Sequence, residues 1–401
     1  HRRRAVLGIR GRVAADFCVH SGACAPGSPN VGPLATISVA MYSNAPTVSV
    51  IVRSMARPSL QAALASIAAQ DFPAIEVVAV AASGASHPPL PELCGVHPLR
   101  LVTSAARLPR PAAANAGLDH ATGERITFLD DDDIFLPGHI SALMAACSEA
   151  KQARLIHSYA CAVFRDGQKS LIGQPHALAR LYAYNYIHLS TTVFARELVA
   201  EGCRFDETFD LLEDGDFVLQ LARRSPFHFV PVNSFEWHVE AGDSGMGMGV
   251  NRDASRYVLF RDRIFAKWAA ARDALAERVA PHLQLARTPV QSGQWQEAET
   301  KCREALAASP NDPLALHVLA MIKRGVKDLS GARVIQELAV AICPQDVRFI
   351  FNLAVLCRDQ DDIDSARHCC DRALSLDPEF APAQRLHAEL SSLPGWLNRG
   401  R

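Results

Sequence analysis

The stretch ERITFLDDDDIFLPGH, residues 124–139, places four consecutive aspartates directly after an apolar run. The run ITFL is β-branched and aromatic, which is typical of a buried strand. Two carboxylates about 6 Å apart repel by roughly 3 kcal/mol at an effective dielectric constant of ~20. Four in succession are therefore tolerable only where water or a cation compensates their charge.

The residues before this stretch predict an α/β fold. Apolar strand-like runs occur at 46–54, 74–82 and 99–104, and segments with helical spacing lie between them. Strands that are apolar throughout and alternate with helices indicate a parallel sheet, in which ligands bind beyond the carboxyl ends of the strands. We therefore expect the four aspartates at such an edge.

Two interpretations of the aspartates follow from the residues alone. An acidic turn, or the N-cap of the helix that DIFLPGHISALMAAC predicts, explains one or two of them. A divalent cation accounts for all four, because hard carboxylate ligands suit Mg²⁺ or Mn²⁺, which in turn bind a diphosphate.

The composition of the chain is that of a globular protein with several domains. It has 401 residues, 49% hydrophobic and 21% charged, with a formal net charge of −1. No basic stripe indicates nucleic acid, and no apolar run reaches the ~18 residues of a transmembrane segment. Eleven scattered cysteines without a CxxC pair favour a reducing, cytoplasmic setting. A position peripheral to the inner face of a membrane stays open.

The two ends of the chain differ from its α/β part. Residues 1–45 are basic and then rich in Gly, Pro and Ser, which predicts a disordered leader, with a targeting or membrane-surface segment as the alternative. Over 278–393 the chain is Ala- and Leu-rich, and a period of 34 residues recurs. The period joins Ala298, Ala332 and Ala366, then Ala305, Ala339 and Ala373, and then Pro310, Pro344 and Pro378.

This period and pattern resemble the tetratricopeptide repeat (TPR). The resemblance implies an all-α solenoid of about three helix pairs with a closing helix. Its surface would bind a protein partner or the acceptor.

Three segments in order resemble family 2 glycosyltransferases. They are VSVIVRSMARPSLQAALASIAAQDFPAIEVVAV, AAANAGLDHATGERITFLDDDD and FDETFDLLEDGDFVLQLARR. The resemblance covers about residues 46–270 and implies the GT-A fold, a mostly parallel sheet sandwiched by helices. It also implies a metal-dependent inverting transfer of a sugar from a nucleotide-diphosphate-sugar to a glycan, a lipid-linked acceptor or another hydroxyl.

The resemblance also implies roles for particular residues. Asp130 and Asp132 match the Asp-x-Asp motif, with Asp132 as the ligand of Mn²⁺ or Mg²⁺ and Asp130 or Asp131 reaching the ribose. Asp214 matches the general base, and Glu213 beside it is the second catalytic candidate, for acceptor binding. Weaker candidates are Arg53, Ser83, Arg110 and Asn115 for the nucleotide-sugar, Asp130 and His238 for the metal, and His188 for the acceptor.

One departure from the family pattern concerns the base of the nucleotide. The family's DDGS after the second strand is AASG here, and Ala82 stands at the position of an aspartate that reads uracil. Two other interpretations remain beside the enzyme. A degenerate transferase domain could serve with the repeats as an interaction scaffold. A haloacid-dehalogenase-type phosphotransferase would need its aspartates on the first strand, whereas three predicted strands precede them.

Overall fold

The computed structural model describes residues 47–150, 153–164, 166–239 and 254–392. The chain forms two compact units. Over the described residues, the first contains residues 47–174 and Asn185–Ala266, and the second contains Pro175–Tyr184 and residues 267–392. The leader predicted over 1–45 lies outside the described residues.

The first unit is built on one mixed sheet. Its strands, numbered along the chain, are β1 (Val48–Ser54), β2 (Ile75–Ala81), β3 (Leu93–Cys94), β4 (His97–Val102), β5 (Arg125–Asp130), β6 (Ile134–Phe135), β7 (Leu155–Val163), β8 (Lys169–Ile172), β9 (Thr192–Ala195) and β10 (Phe227–His238). The spatial order is β3-β4-β2-β1-β5-β9-β7-β10-β6, with β8 on β7. Strands β4, β2, β1 and β5 are parallel neighbours, as the apolar runs predicted.

The helices of the first unit cover both faces of the parallel strands. They are α1 (Leu60–Ala68), α2 (Arg110–His120), α3 (His139–Glu149), α5 (Glu197–Ala200), α6 (Glu213–Ala222) and the first part of α7 (Ala254–Ser292). On one face, Val50 and Val52 of β1 share a core cluster with Ile67 of α1 and Ile140 of α3. On the other face, Gly117 of α2 lies against Ile51 of β1, where an added Cβ would run into the Ile51 side chain.

The half of the sheet after the aspartates is antiparallel at four junctions, one of which joins β7 and β8. β9 pairs antiparallel with both β5 and β7, and β6 pairs antiparallel with β10. Strand β10 runs parallel to β7 with two register shifts, around Val230 and Asn233. The sequence analysis did not predict these strands, because their apolar runs are short or interrupted by polar residues.

The second unit is all-α over its described residues. Its helices are α4 (Leu178–Leu181), the remainder of α7, α8 (Trp295–Ala308), α9 (Pro313–Gly325), α10 (Leu329–Ile342), α11 (Val347–Asp359), α12 (Ile363–Leu376) and α13 (Ala381–Ser391). The alanines that recur every 34 residues are buried. Ala298, Ala332, Ala366, Ala305, Ala339 and Ala373 each have 0% exposure. The repeats are TPR-like, and a small buried residue at each of these places lets paired helices approach closely.

Candidate functional site

The candidate site lies at the carboxyl ends of the parallel strands in the first unit. Arg53, near the end of β1, is the direct register partner of Asp130, the last residue of β5. The next three aspartates follow at once, and β6 begins at Ile134. The parallel pairing therefore brings the end of the first strand and the acidic run together, although 77 residues separate them in sequence.

Arg53 forms a two-pronged ion pair with Asp130. Its Nε and Nη2 donate to the two carboxylate oxygens, both at 2.8 Å, and Nη1 lies 3.4 Å from Oε1 of Glu213. Burial acts to lower the pKa of Arg53, but the Asp130 and Glu213 carboxylates outweigh it and raise that pKa. Burial likewise acts to raise the pKa of Asp130, and the Arg53 and Arg110 charges hold it below its ordinary value. Both side chains are therefore charged at neutral pH.

Asp131 is held by the turn that follows β1. Its carboxylate accepts from the Met55 backbone N–H at 2.6 Å, from Ser54 Oγ at 3.3 Å and from Arg57 Nη1 at 2.5 Å. The side chain is fully buried. The structure thus gives Asp131, predicted to bind the nucleotide, a set of partners within the fold.

Asp132 and Asp133 carry charge that the protein compensates less. Asp132 pairs with Arg57, whose Nη1 is 3.6 Å from Oδ2. Burial, with the neighbouring Asp130 and Asp131 charges, raises the pKa of Asp132 to about 6. Burial and the charges of Asp132 and Asp130 raise the pKa of Asp133 well above its ordinary value, although Asp133 accepts from the His238 backbone N–H at 3.0 Å.

Helix α6 supplies the second acidic motif. Its N-cap, Leu212, has a left-handed backbone with φ of 63°, which is strained for a non-glycine residue. Glu213 is fully buried, and its Oε1 lies 3.0 Å from Arg110 Nε, whereas its Oε2 has no hydrogen-bond partner within the described part of the chain. Burial raises the pKa of Glu213. Asp214 is half-buried and accepts from the Gly215 N–H at 2.8 Å, which leaves it the more accessible carboxylate of the pair.

The two candidate histidines occupy different places. His188 is packed beside Phe235 and Trp237, with ring centroids 4.8 and 5.4 Å away. Burial lowers the pKa of His188 to about 4, against the opposing effects of the Asp214 and Asp130 charges, so the ring is neutral at neutral pH. His238 touches the acidic run through its backbone, while its Nε2 lies 3.7 Å from Glu236 Oε2.

Asn115 and Ser83 have surroundings that the sequence did not indicate. The Asn115 amide donates to the Phe205 carbonyl and to Glu207 Oε1 and accepts from the Phe205 N–H, so it fastens α2 to the segment before α6. Ser83 follows β2, and its Oγ is buried without a hydrogen-bond partner among the described residues. Ala82, beside it, is buried.

Two site residues escaped the sequence analysis. Arg57 contacts both Asp131 and Asp132, and the only available signal was a basic residue just after the first predicted strand. His87 places Nε2 2.8 Å from Ser54 Oγ, which itself lies 3.3 Å from Asp131 Oδ2. No motif marks His87, because its contact depends on a turn after β2.

The acidic run fits a divalent cation. Asp130, Asp132 and Asp133 each offer a carboxylate oxygen, and these atoms lie within 4.8 Å of one another. An all-oxygen set suits Mg²⁺ or Mn²⁺. The pKa values of Asp132 and Asp133 are raised by burial and by the neighbouring carboxylates, and a bound cation would offset both effects.

Comparisons with known proteins concern mainly the α/β part of the chain. Residues 49–180 match the family described as Glycosyl transferase family 2, so this part of the chain carries a glycosyltransferase domain. The chain is therefore a glycosyltransferase followed by TPR-like repeats, as the ordered motifs and the 34-residue period predicted.

Two curated proteins and one solved structure are similar to the chain. The "Uncharacterized glycosyltransferase YwdF" of Bacillus subtilis (strain 168) is 29% identical over 210 residues, 49% of this chain and 76% of that protein. The "Amylovoran biosynthesis glycosyltransferase AmsB" of Erwinia amylovora is 30% identical over 146 residues, 33% of this chain and 48% of that protein. A crystal structure of S. aureus TarS in complex with UDP-GlcNAc is 17% identical, with a TM-score of 0.43, over 73% of this chain and 90% of that one.

Within the parts of the chain that the structure describes, no helix combines the length and the apolar composition needed to cross a bilayer.

Proposed function

We propose that the chain transfers a sugar from a nucleotide-diphosphate-sugar to a hydroxyl of a glycan or lipid-linked acceptor, with inversion and with a divalent cation. The observation that carries the proposal is the meeting of two acidic motifs at one edge of the sheet. Arg53 contacts both of them, Asp130 at 2.8 Å and Glu213 at 3.4 Å. One motif suits a cation and a diphosphate, and the other suits an acceptor hydroxyl.

In the proposed reaction Asp214 is the general base. Its carboxylate takes the proton of the acceptor hydroxyl while that oxygen forms a bond to the anomeric carbon. The bond from this carbon to the donor phosphate breaks, and the nucleoside diphosphate leaves with the electron pair. A Mn²⁺ or Mg²⁺ ion held by Asp132, Asp133 and Asp130 would supply charge stabilisation for that leaving group. Attack opposite the leaving group inverts the anomeric centre.

Glu213 suits acceptor binding better than proton abstraction. It is fully buried and lies between Arg110 and Arg53, so its charge is already engaged. Its Oε2, which has no hydrogen-bond partner among the residues that the structure describes, can accept a hydrogen bond from a bound hydroxyl. His188 and Trp237 are half-buried neighbours, and their flat rings suit packing against a sugar ring.

We propose that the second unit binds a protein partner or the acceptor. A groove among its helices is lined by apolar and polar side chains together, among them Trp295, Met321, Arg324 and Asn352. A mixed lining of this type suits an extended ligand.

The proposal includes a reducing, cytoplasmic location, because the nine cysteines among the described residues are all free thiols.

The decisive experiment is calorimetric titration of the full chain with UDP, GDP and dTDP, with Mn²⁺ and then with EDTA. We expect one nucleotide to bind with Mn²⁺ and to lose at least tenfold in affinity with EDTA or in Asp132→Ala. The matched control is Asp364→Ala, an exposed aspartate of the second unit, which should bind as the wild type does. A folded wild-type chain that binds none of the nucleotides would contradict the proposal and favour the scaffold alternative.

A further inference from the structure

Arg53, Arg57 and Arg110 contact the carboxylates of the site at different distances. Arg53 holds both oxygens of Asp130, and Arg110 approaches Glu213 within 3.0 Å. Arg57 reaches Asp131 at 2.5 Å, but Asp132 only at 3.6 Å. Of these arginine contacts, that of Asp132 is the longest. Asp130 and Asp131 are therefore neutralised by close arginine contacts, whereas Asp132 has only the longer contact with Arg57.

The neutralisation of Asp130 is a fixed part of the structure. Arg53 lies on a central strand with β2 on one side and β5 on the other, and its side chain is 8% exposed. Its guanidinium carbon stands 5.9 Å from the centre of the buried Phe128 ring. A planar guanidinium gripping a carboxylate through two parallel hydrogen bonds leaves that carboxylate only its outward lone pairs. Arg53 therefore places a permanent positive charge beside the proposed cation site.

This arrangement bears on how the proposed cation is bound. We propose that Arg53 keeps Asp130 from serving as a full metal ligand in the free protein. Asp132 and Asp133 then hold a divalent cation weakly, and tight binding needs the diphosphate of the donor. Arg53 acts in this as a positioning residue that makes metal binding depend on the nucleotide-sugar. The inference rests on the proposed function, since it assumes a metal-bound donor.

The physical reason is the balance of charges. A cation near Asp130 meets the repulsion of the Arg53 guanidinium, and two like charges a few ångströms apart repel strongly in a partly buried site. A donor diphosphate brings negative charge of its own, which offsets that repulsion. Wild-type protein should therefore bind Mn²⁺ at least tenfold more tightly with the matching nucleoside diphosphate than without it.

The test measures Mn²⁺ binding directly, by the electron paramagnetic resonance signal of the free ion, on the full chain without any acceptor. Arg53→Met removes the opposing charge and frees Asp130. We expect it to bind Mn²⁺ at least tenfold more tightly than the wild type when no nucleotide is present. Arg53→Lys, the matched control, keeps the charge and should stay within threefold of the wild type. Unchanged or weaker binding in Arg53→Met would overturn the inference.

A second variant covers the case in which Arg53→Met fails to fold. Arg53→Met with Asp130→Asn removes both members of the ion pair, so that neither charge is left without its partner. If Asp130 contributes little to the free site, this double variant binds Mn²⁺ within threefold of the wild type. A tenfold loss would show that Asp130 is already a full ligand and would refute the inference.

The failure of the inference is distinguishable from the failure of the proposed function. A wild-type chain that binds Mn²⁺ with UDP, GDP or dTDP, together with an Arg53→Met variant that gains nothing, refutes the inference alone. A wild-type chain that binds no Mn²⁺ with or without these nucleotides refutes both.

Discussion

Gly117 lies directly against Ile51, so that helix α2 rests on the central strand β1 with no room for a side chain between them. The contact belongs to the segment RPAAANAGLDH, in which Asn115 fastens the same helix to the Phe205 backbone. Helix α2 begins with Arg110, the partner of Glu213. The close approach of helix and strand therefore sets where one of the site's cations stands.

We expect Gly117→Ala to destabilise the first unit by about 1–3 kcal/mol, because the added methyl group must displace Ile51. Gly215→Ala is the matched control. It is also helical, but its Cβ would meet only Asn185 side-chain atoms, at 3.6 Å or more. Replacing a helical glycine by alanine favours the helix by up to about 1 kcal/mol, so the control should be neutral or stabilising. Urea unfolding followed by circular dichroism measures both, and equal stabilities would contradict the prediction.

Asp214→Asn should lower kcat by at least a hundredfold while nucleotide binding stays within threefold of the wild type. The reason is that the proposed base removes a proton during transfer but does not hold the donor. Asp210→Asn, four residues earlier and exposed, is the control for a changed charge in the same segment. The measurement is product formation under saturating donor, beside calorimetry of the nucleotide. A variant that transfers sugar at the wild-type rate would exclude Asp214 as the base.

Asp132→Asn should stabilise the metal-free protein at pH 7.5. Burial and like charges raise the pKa of Asp132 to about 6, so above that pH the folded state holds a charge that it disfavours. An acid with a raised pKa binds more protons in the folded state than in the unfolded state between its two pKa values. Stability therefore falls as pH rises through that interval. The gain on neutralisation is about 1–3 kcal/mol at pH 7.5 and shrinks toward pH 4.

Thermal unfolding in EDTA at pH 7.5, 6 and 5 tests this dependence. The difference in Tm between Asp132→Asn and the wild type should be largest at pH 7.5 and smaller at each lower pH. With saturating Mn²⁺ at pH 7.5 the order should reverse, because only the wild type gains the binding energy of the ion. A variant less stable than the wild type in EDTA at every pH would contradict the electrostatic account.

Ala332→Leu should destabilise the second unit by about 1–3 kcal/mol, because the alanine is fully buried where helices approach each other. Val334→Leu on the same helix is the matched control, since this valine is 66% exposed. The thermal midpoint of helix loss at 222 nm separates the two variants. Similar midpoints would show that the 34-residue period does not mark a packing position.

The sequence predicted the parts of the fold that local pattern determines. The strands at Val48–Ser54 and Ile75–Ala81 are buried on both faces, and such strands appear as continuous apolar runs. The repeats could be predicted from the sequence because Ala298, Ala332 and Ala366 occupy equivalent buried positions. Strand β10 could not be predicted from the sequence, because its burial pattern is irregular and its pairing with β7 shifts register twice.

The site was predictable as a set of acidic motifs but not as a set of ion pairs. The run at Asp130 stood out because like charges in succession need an explanation. Which of its aspartates are neutralised depends on Arg53 and Arg57, which lie more than seventy residues earlier in the sequence. No local pattern states which aspartate a distant arginine will neutralise. The partners of Asn115 were hidden for the same reason.

The engagement of Asp131 by the turn after β1 has a consequence for genetics. Because Met55, Ser54 and Arg57 all bind this carboxylate, its loss should lower the amount of folded protein in the cell. A mutational scan scored by product alone would assign all four aspartates to one role. The same scan scored by cellular abundance would separate Asp131, whose substitutions deplete the protein, from Asp132, whose substitutions leave it abundant and inactive.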